Sequence, residues 1–278
     1  GSIGAACHPS QVTMREGRVP NHSKYQAFVG INASREVSIY IASGVSVSLI
    51  GEFDSSATFL TTDVDKTPAS TSTWTSTAHA ETTTAKFAIY NVDVGGQTKS
   101  YGARHGDSTN VDSISASRWA SWIIAPLNAS FESDLYKSDT AVFFYLVGFL
   151  DSGVDQIEPP VDKSTATTGS YQTITPTTGI PEYVLVNLRS TDTTEATGAT
   201  TQLREPSSAD VFGGRPAGNW TTIVKTDASG NIEQQIGNTT QDYWVIGNVT
   251  NAAAGVSLDS PDTVTHGVAT TATGSELS

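Results

Sequence analysis

Apolar and polar side chains alternate along the stretch Val37–Ile50, which reads VSIYIASGVSVSLI. This period of two is typical of a β-strand with one buried face, whereas a helix has a period of about 3.6. A two-residue turn at Ser43-Gly44 would divide the apolar residues between both faces of the sheet, so we exclude it. Either a three-residue loop ending at Val45 or one long strand bent at Gly44 keeps the face intact. The apolar positions are Val37, Ile39, Ile41, Val45, Val47 and Leu49.

A second clear pattern, in Lys86–Ala103, is that of a hairpin. Two strand-like segments flank Gly95-Gly96, and a two-residue turn with positive φ at both positions is one that glycine adopts freely. With this turn, Tyr90 would lie opposite Tyr101 as an aromatic cross-strand pair.

Several other stretches predict strands. Ala141–Leu150, reading AVFFYLVGFL, is apolar on both faces, as expected of a central strand in a sandwich. Glu182–Leu188 and Gln241–Val249 predict two more strands. Trp220–Ile236 predicts a hairpin around a type I turn at Asp227–Gly230, with the glycine at the position that needs positive φ.

Between these strands the pattern is weaker. Thr61–Thr84 reads as a long loop or a Thr-rich edge strand anchored by Trp74. Ser117–Ile124 fits either a short helix or a strand, and Pro126 ends it in both cases. The remaining long irregular regions are Asp151–Pro181 and Ser190–Asn219.

The two ends of the chain carry little pattern. Within residues 1–36 only Tyr25–Ile31 is expected to be ordered, and after Asn251 we expect at most one more strand, around Val264. The start at Gly1-Ser2, without a methionine, indicates a fragment or a cleaved piece of a longer chain.

About ten short strands with almost no helix predict an all-β fold, an antiparallel β-sandwich or β-barrel with long surface loops and little helix. No internal repeat is evident. We expect one all-β domain over residues 1–278, with a subdivision into 1–158 and 161–278 at Pro159-Pro160 as the alternative.

The composition of the chain excludes some classes of binding partner. The formal net charge is -13 and the pI is about 4.6, so the surface repels phosphate backbones and anionic lipid heads, and we expect no nucleic-acid partner. No apolar run is long enough to cross a bilayer, so we expect no membrane insertion. The single Cys7 cannot form a disulfide within the chain.

The string Arg104-His105-Gly106-Asp107-Ser108 is the most suggestive for chemistry. It resembles the Arg-His-Gly signature of the histidine phosphatases, in which the histidine takes up a phosphoryl group and the arginine clamps its oxygens. That family has an α/β fold, and no helices follow Ser108 here, so we expect a polar turn that closes the strand containing Tyr101.

The same string offers one metal reading. His105 and Asp107 could join the distant His266 in a site with two histidines and one carboxylate for iron. His266 lies in the weakly patterned tail, so we assign no metal, cofactor or catalytic residue and expect no enzyme.

Binding is the function that the composition favours. Long loops rich in Thr, Ser, Asn, Tyr and Trp on a rigid β scaffold supply hydrogen bonds and flat stacking surfaces suited to glycans or protein receptors. Six Asn-x-Ser/Thr sequons could carry glycans if the chain passes through a secretory route. They begin at Asn21, Asn32, Asn128, Asn219, Asn238 and Asn248.

The strands VSIYIASGVSVSLI, AVFFYLVGFL and EYVLVNL, with the long loops between them, resemble the protruding capsid domain of a small non-enveloped RNA virus, as in astrovirus and hepevirus spikes. The resemblance implies a homodimeric β-sandwich or barrel on the virion surface, outside the cell. Such a spike attaches to a host cell-surface receptor, a glycan or a protein, and carries the epitopes of antibodies. It assigns no receptor-binding residue.

Two other classes of protein share this β character. One is a structural or adhesive subunit of a microbial surface filament, which would polymerise through a donated strand. The other is a carbohydrate-active enzyme, which would need two carboxylates about 5 to 9 Å apart in a cleft.

Overall fold

The computed structural model describes a chain of strands and turns, and the described residues contain no helix. The described residues are 2–6, 14–18, 27–30, 36–41, 47–49, 52–53, 57–95, 99–110, 115–117, 121–190, 201–208, 212–214, 219–249, 256–257, 262–264 and 270–273. The predicted all-β class is therefore confirmed, as a sandwich whose sheets are not closed into a barrel.

The strands fall into four groups along the chain. The first group is β1 (Ser2–Ala6), β2 (Met14–Arg18), β3 (Glu36–Ile41), β4 (Val47–Leu49) and β5 (Glu52–Phe53). The second is β6 (Ala57–Asp65), β7 (Thr73–Ala78), β8 (Phe87–Val94), β9 (Lys99–His105), β10 (Ser115–Ser117), β11 (Ser121–Pro126), β12 (Glu132–Lys137) and β13 (Val142–Leu150). The third is β14 (Val154–Asp162), β15 (Gln172–Ile174), β16 (Tyr183–Ser190), β17 (Thr201–Arg204), β18 (Phe212–Gly214), β19 (Asn219–Lys225), β20 (Ile232–Gln235) and β21 (Gln241–Val249). The last is β22 (Val256–Ser257), β23 (Asp262–Val264) and β24 (Thr270–Thr273).

The second and third groups are two copies of one topology. In the first repeat, β6 to β13, one sheet has the order β11-β8-β13-β6 and the other β10-β9-β12-β7. In the second repeat, β14 to β21, the orders are β19-β16-β21-β14 and β18-β17-β20-β15. Adding eight to each strand number of the first repeat gives the second. The expectation of no internal repeat is therefore wrong.

The four sheets stack as two sandwiches packed back to back. We call the sheets containing β8 and β16 the inner sheets, and those containing β9 and β17 the outer sheets. Each inner sheet buries one face against its own outer sheet and the other against the inner sheet of the other repeat. The shared cluster between the inner sheets is Phe28, Phe87, Ile89, Trp122, Ile124, Val147, Leu150, Val154, Tyr183, Leu185, Ile223, Ile246 and Val249.

The alternation along β8 shows how one strand serves two cores. Phe87 and Ile89 belong to the cluster shared with the second repeat, whereas Ala88 and Tyr90 belong to the core of the first sandwich. Successive side chains of a strand point to opposite faces, so a strand buried on both faces must be apolar throughout. Hydrogen bonds also join the repeats, among them one from the Ile124 amide to Thr221 Oγ1 and one from Gln156 Nε2 to the Leu127 carbonyl oxygen, each at 2.8 Å.

A bulge recurs at the same place in both repeats. The register of β13 shifts just before Gly148, and that of β21 shifts just before Gly247. A Cβ on Gly148 would lie 2.6 Å from the carbonyl oxygen of Thr58, and one on Gly247 would lie 2.9 Å from that of Asp155. Thr58 and Asp155 are the second residues of the equivalent strands β6 and β14, so both glycines allow the same close approach of backbones.

Replacing either Gly148 or Gly247 with alanine is expected to lower the free energy of unfolding by about 1 to 3 kcal/mol, because the new methyl group collides with backbone. Chemical denaturation of the two variants measures the loss. Ile180→Ala, at a side chain that is 68% exposed, should change stability by less than about 0.5 kcal/mol. Two alanine variants as stable as the wild type would show that the backbones do not approach this closely.

The strongest predicted strands are confirmed. Ala141–Leu150 contains β13, a buried central strand of the first inner sheet, and Gln241–Val249 is β21. Glu182–Leu188 lies in or beside β16. Ser117–Ile124 is strand rather than helix in its described part, because both faces of β11 are buried between packed layers, and β11 ends at Pro126 as expected.

Both predicted hairpins are wrong in their pairing. The strands of Lys86–Ala103 are β8 and β9, which lie in different sheets because β11 and β13 already occupy both edges of β8. Tyr90 and Tyr101 therefore do not pair, although each ring packs edge-to-face with the ring of Phe144 in the first core. The strands of Trp220–Ile236 also lie in different sheets, although the turn forms, with φ of 77° at Gly230.

Two regions expected to be irregular contain strands. Asp151–Pro181 includes β14 and β15, and Pro159-Pro160 lies within β14 at an edge of its sheet, where proline is tolerated. The second region, Ser190–Asn219, includes β17 and β18. The repeats therefore meet between Leu150 and Val154. Thr61–Thr84 includes the predicted edge strand, β7, with Trp74.

The ends of the chain hold more strand than expected. Strands β1 and β2 lie within residues 1–36, and β22, β23 and β24 follow Asn251, one of them at Val264. Val37–Ile50 contains β3 and β4, which do not form the considered hairpin, since β3 pairs with β1 and β24 and β4 pairs with β23. Residues 42–46, where the bend at Gly44 would fall, lie outside the described residues.

Candidate functional site

The string Arg104–Ser108 ends strand β9 and forms a turn, as predicted. The Ser108 amide donates to the His105 carbonyl oxygen at 3.0 Å, and the Asp107 amide donates to His105 Nδ1 at 3.2 Å. Asn128 Nδ2 donates to Asp107 Oδ1 at 3.0 Å. These hydrogen bonds hold the shape of the turn.

Arg104 is held on three sides. Its Nε and Nη2 donate to Asp134 Oδ2 at 3.1 and 2.9 Å, and its Nη1 donates to the Asn110 carbonyl oxygen at 2.7 Å. The guanidinium carbon lies 4.1 Å from the centre of the Trp74 ring. A phosphate clamp needs an arginine whose donors face a ligand, so this arrangement does not support the histidine-phosphatase reading.

The same cluster recurs in the second repeat. Arg204 lies 3.6 Å from the centre of the Tyr171 ring, and its Nε donates to Glu233 Oε2 at 2.6 Å. Its Nη1 donates to the Ser208 carbonyl oxygen at 3.2 Å. Since each arginine ties the loop that follows its strand to the outer sheet, we call these two clusters the arginine clamps, and we assign them a positioning role.

The metal site considered from the sequence requires His266, which lies outside the described residues. Within the described part of the chain, no group of three or more His, Cys, Asp or Glu side chains converges as metal ligands. The same part of the chain contains no helix long and apolar enough to cross a membrane.

A cleft opens where the first repeat meets the inner sheet of the second. It lies beside the loop that the first arginine clamp holds, and its interior has room for roughly one group the size of a water molecule or a hydroxyl. From the first repeat it is lined by Ala103, Arg104, His105, Ser108, Asn110, Ile124 and Pro126, and from the second by Pro160, Asn187, Trp244 and Ile246.

Two buried polar atoms in the cleft lining are unusual. Asn187 Oδ1 and Trp244 Nε1 have no hydrogen-bond partner among the described residues, although Asn187 is only 5% exposed. The two residues lie directly opposite each other on β16 and β21. An unpaired buried acceptor or donor costs about 1 to 3 kcal/mol, so a ligand that pairs with both would recover free energy.

Sequence reasoning missed this pair. Asn187 and Trp244 lie on different strands far apart along the chain, and in the sequence each is one polar or amphipathic residue within an apolar run. The available signal was the matching position of Asn91 in FAIYN and Asn187 in YVLVN, which becomes visible only after the repeats are aligned.

The sequons differ in their surroundings. Asn128 is buried, and its Nδ2, the atom that would carry a glycan, donates to two carboxylates. Asn238 is half-buried in a turn, where its Oδ1 accepts from the Thr240 amide. Asn21 and Asn32 lie outside the described residues.

A buried polar cluster lies in the first core. The hydroxyl of Tyr90 lies 2.8 Å from His79 Nε2 and 2.8 Å from Ser133 Oγ, and His79 is only 2% exposed. Burial, and to a smaller extent the positive charge of Lys66, lowers the pKa of His79 to about 4. The imidazole is therefore neutral in the folded protein at neutral pH.

Acid should destabilise the protein through His79. Between its unfolded pKa, about 6.5, and its folded pKa the unfolded chain binds the proton more tightly, so stability falls as the pH drops through this window. The expected loss is about 3 kcal/mol, and below the folded pKa this group contributes no further loss. Urea denaturation across this pH range should show that the free energy of unfolding falls less steeply with decreasing pH in His79→Phe than in the wild type. Parallel declines would contradict the assignment.

Comparison with known proteins places the chain in no family. No family model matches it, and no curated protein matches it. A solved structure similar to part of the chain is the N-terminal CBM22-1-CBM22-2 tandem domain of Xyn10C from Paenibacillus barcinonensis, at 8% identity and a TM-score of 0.17, covering 76% of this chain and 99% of that chain. A TM-score this low carries no argument about fold or function.

Proposed function

We propose that this protein is a non-catalytic binding module that attaches to a hydroxyl-rich ligand, a glycan, through the cleft between its two repeats. The observation that carries the proposal is that the acceptor Asn187 Oδ1 and the donor Trp244 Nε1 are both unpaired, on two residues that lie opposite each other in the sheet and both line the cleft. A hydroxyl group is both a donor and an acceptor, so a single sugar hydroxyl in the cleft could pair with both atoms.

The surroundings of this pair suit a sugar. The half-buried indole of Trp244 offers an apolar face for stacking, and the neighbouring loop contributes His105, Ser108 and Asn110 to the cleft lining. The first arginine clamp fixes this loop, which reduces the cost of ordering it on binding.

The cleft lining favours binding over hydrolysis. A glycosidase needs two carboxylates that flank the scissile bond. None of the described residues that line the cleft is an aspartate or a glutamate. We therefore propose glycan binding without hydrolysis in preference to a carbohydrate-active enzyme.

The setting of this activity is proposed from the sequence. As in the protruding capsid domains that the chain resembles, the ligand would be a glycan on a host cell-surface receptor, and the protein would be a homodimer on the virion surface that antibodies recognise. Light scattering separates this setting from a microbial filament, since a closed dimer supports the spike and open-ended polymers support the filament.

Screening the purified chain on a glycan array, followed by calorimetric titration of the ligands found, tests the proposal. Trp244→Ala should weaken binding at least roughly tenfold, because it removes both the stacking face and the donor. Trp244→Phe keeps a stacking ring and loses the donor, so it should have a smaller effect.

Ile180→Ala is the matched control, because Ile180 is exposed and does not line the cleft. Its affinity should equal that of the wild type, and thermal unfolding should show all three variants to be folded. The proposal is contradicted if the wild type retains no glycan, or if Trp244→Ala binds the same glycan with unchanged affinity.

A further inference from the structure

The inner sheet of the first repeat extends an aromatic surface beyond the shared cluster. The rings of Phe143 and Tyr145, two residues apart on β13, are stacked with centroids 6.4 Å apart and an interplanar angle of 19°. Phe143 is 37% exposed, although the next side chain on this face, Val147, is fully buried against the second repeat. The surface is therefore accessible from solvent.

Two carboxylates flank these rings. Asp93 lies directly opposite Phe143, and Asp65 lies directly opposite Tyr145, so all four side chains share one face of the sheet. Both aspartates are exposed, and within the described part of the chain neither forms an ion pair with a lysine or an arginine.

A buried amide on the same face is also without a partner. Asn91 lies opposite Tyr145 and is only 1% exposed. Neither its Oδ1 nor its Nδ2 has a hydrogen-bond partner among the described residues. This observation is independent of the two carboxylates. It indicates that the chain itself does not supply all the hydrogen-bond partners that this face needs.

On the equivalent face of the second repeat, an arginine of the chain forms an ion pair. Alignment of the registers places Arg189 at the position of Asp93 and Asp242 at that of Phe143, with Trp244 equivalent to Tyr145. Arg189 Nε donates to Asp242 Oδ2 at 2.9 Å. Asp162, opposite Trp244, is the counterpart of Asp65. In the second repeat the chain's own guanidinium thus pairs with a carboxylate, that of Asp242.

We propose that the face formed by Asp65, Asn91, Asp93, Phe143 and Tyr145 binds the guanidinium group of an arginine on a partner protein. This group would supply the first repeat with the cation that Arg189 supplies in the second, where the first repeat instead carries Asp93. A guanidinium stacks on aromatic rings and donates to carboxylates in its own plane, and both kinds of group are present here.

The net charge of -13 agrees with such a partner, because it attracts cationic segments over a distance of about a Debye length. The site is separate from the cleft, since none of its five residues lines the cleft. The inference therefore does not rest on glycan binding, and either proposal can fail while the other stands.

Titration with three short peptides of the same length tests the proposal. Their sequence alternates glycine with arginine, with lysine or with citrulline, which has the shape of arginine without its charge. The arginine peptide should bind at least about fivefold more tightly than the other two, and added salt should weaken it. Equal affinity for the lysine or citrulline peptide would overturn the guanidinium assignment.

Variants locate the site. Asp93→Arg recreates the cation of the second repeat and should abolish binding of the arginine peptide without unfolding the protein, as thermal unfolding would show. Phe143→Ala and Asp65→Asn should each weaken it several-fold. Asp162→Asn, the counterpart in the second repeat, and Trp244→Ala should leave it unchanged. Wild-type affinity in Asp93→Arg, or in both Phe143→Ala and Asp65→Asn, would place the peptide elsewhere and overturn the proposal.

Discussion

The shared cluster between the two inner sheets is the interaction on which the rest of the structure depends. A single four-stranded sheet with one outer sheet could leave its second face in water, but here that second face is apolar in both repeats. At about 25 cal/mol per Å² of apolar surface, leaving such a face exposed would be strongly unfavourable. Each repeat therefore supplies the cover that the other one needs, and the cleft exists only because the two are packed together.

The features that the two repeats keep in common are those that preserve this arrangement. The bulge glycines, Gly148 and Gly247, keep the edge strands close, and the two arginine clamps hold the loops after β9 and β17 to the outer sheets. The differences lie beyond the shared cluster. There Asp93 in one repeat corresponds to Arg189 in the other, so one scaffold offers two chemically different faces.

The sequence predicted strands well where burial alone decides the pattern. Ala141–Leu150 and Gln241–Val249 are apolar enough to be placed within a residue of their ends. It predicted sheet pairing poorly, because the turns expected from the sequence at Gly95-Gly96 and Asp227–Gly230 indicate where the chain reverses but not which sheet the next strand joins. In a sandwich the chain often changes sheet at such a turn.

The repeat and the candidate site could not be read from the sequence. In the equivalent strands FAIYN and YVLVN only the asparagine is identical, since any large apolar residue can fill the other positions. The polar string Arg104–Ser108 was correctly expected to form a turn, but its place beside Asn187 and Trp244 depends on the packing of one repeat against the other.

Differential scanning calorimetry of the whole chain tests the central claim most directly. If the two repeats stabilise each other through the shared cluster, residues 57–249 unfold together, and the main transition has equal calorimetric and van't Hoff enthalpies. Two separable transitions of similar size, each with the enthalpy of one sandwich, would show that the repeats are independent and would contradict the account.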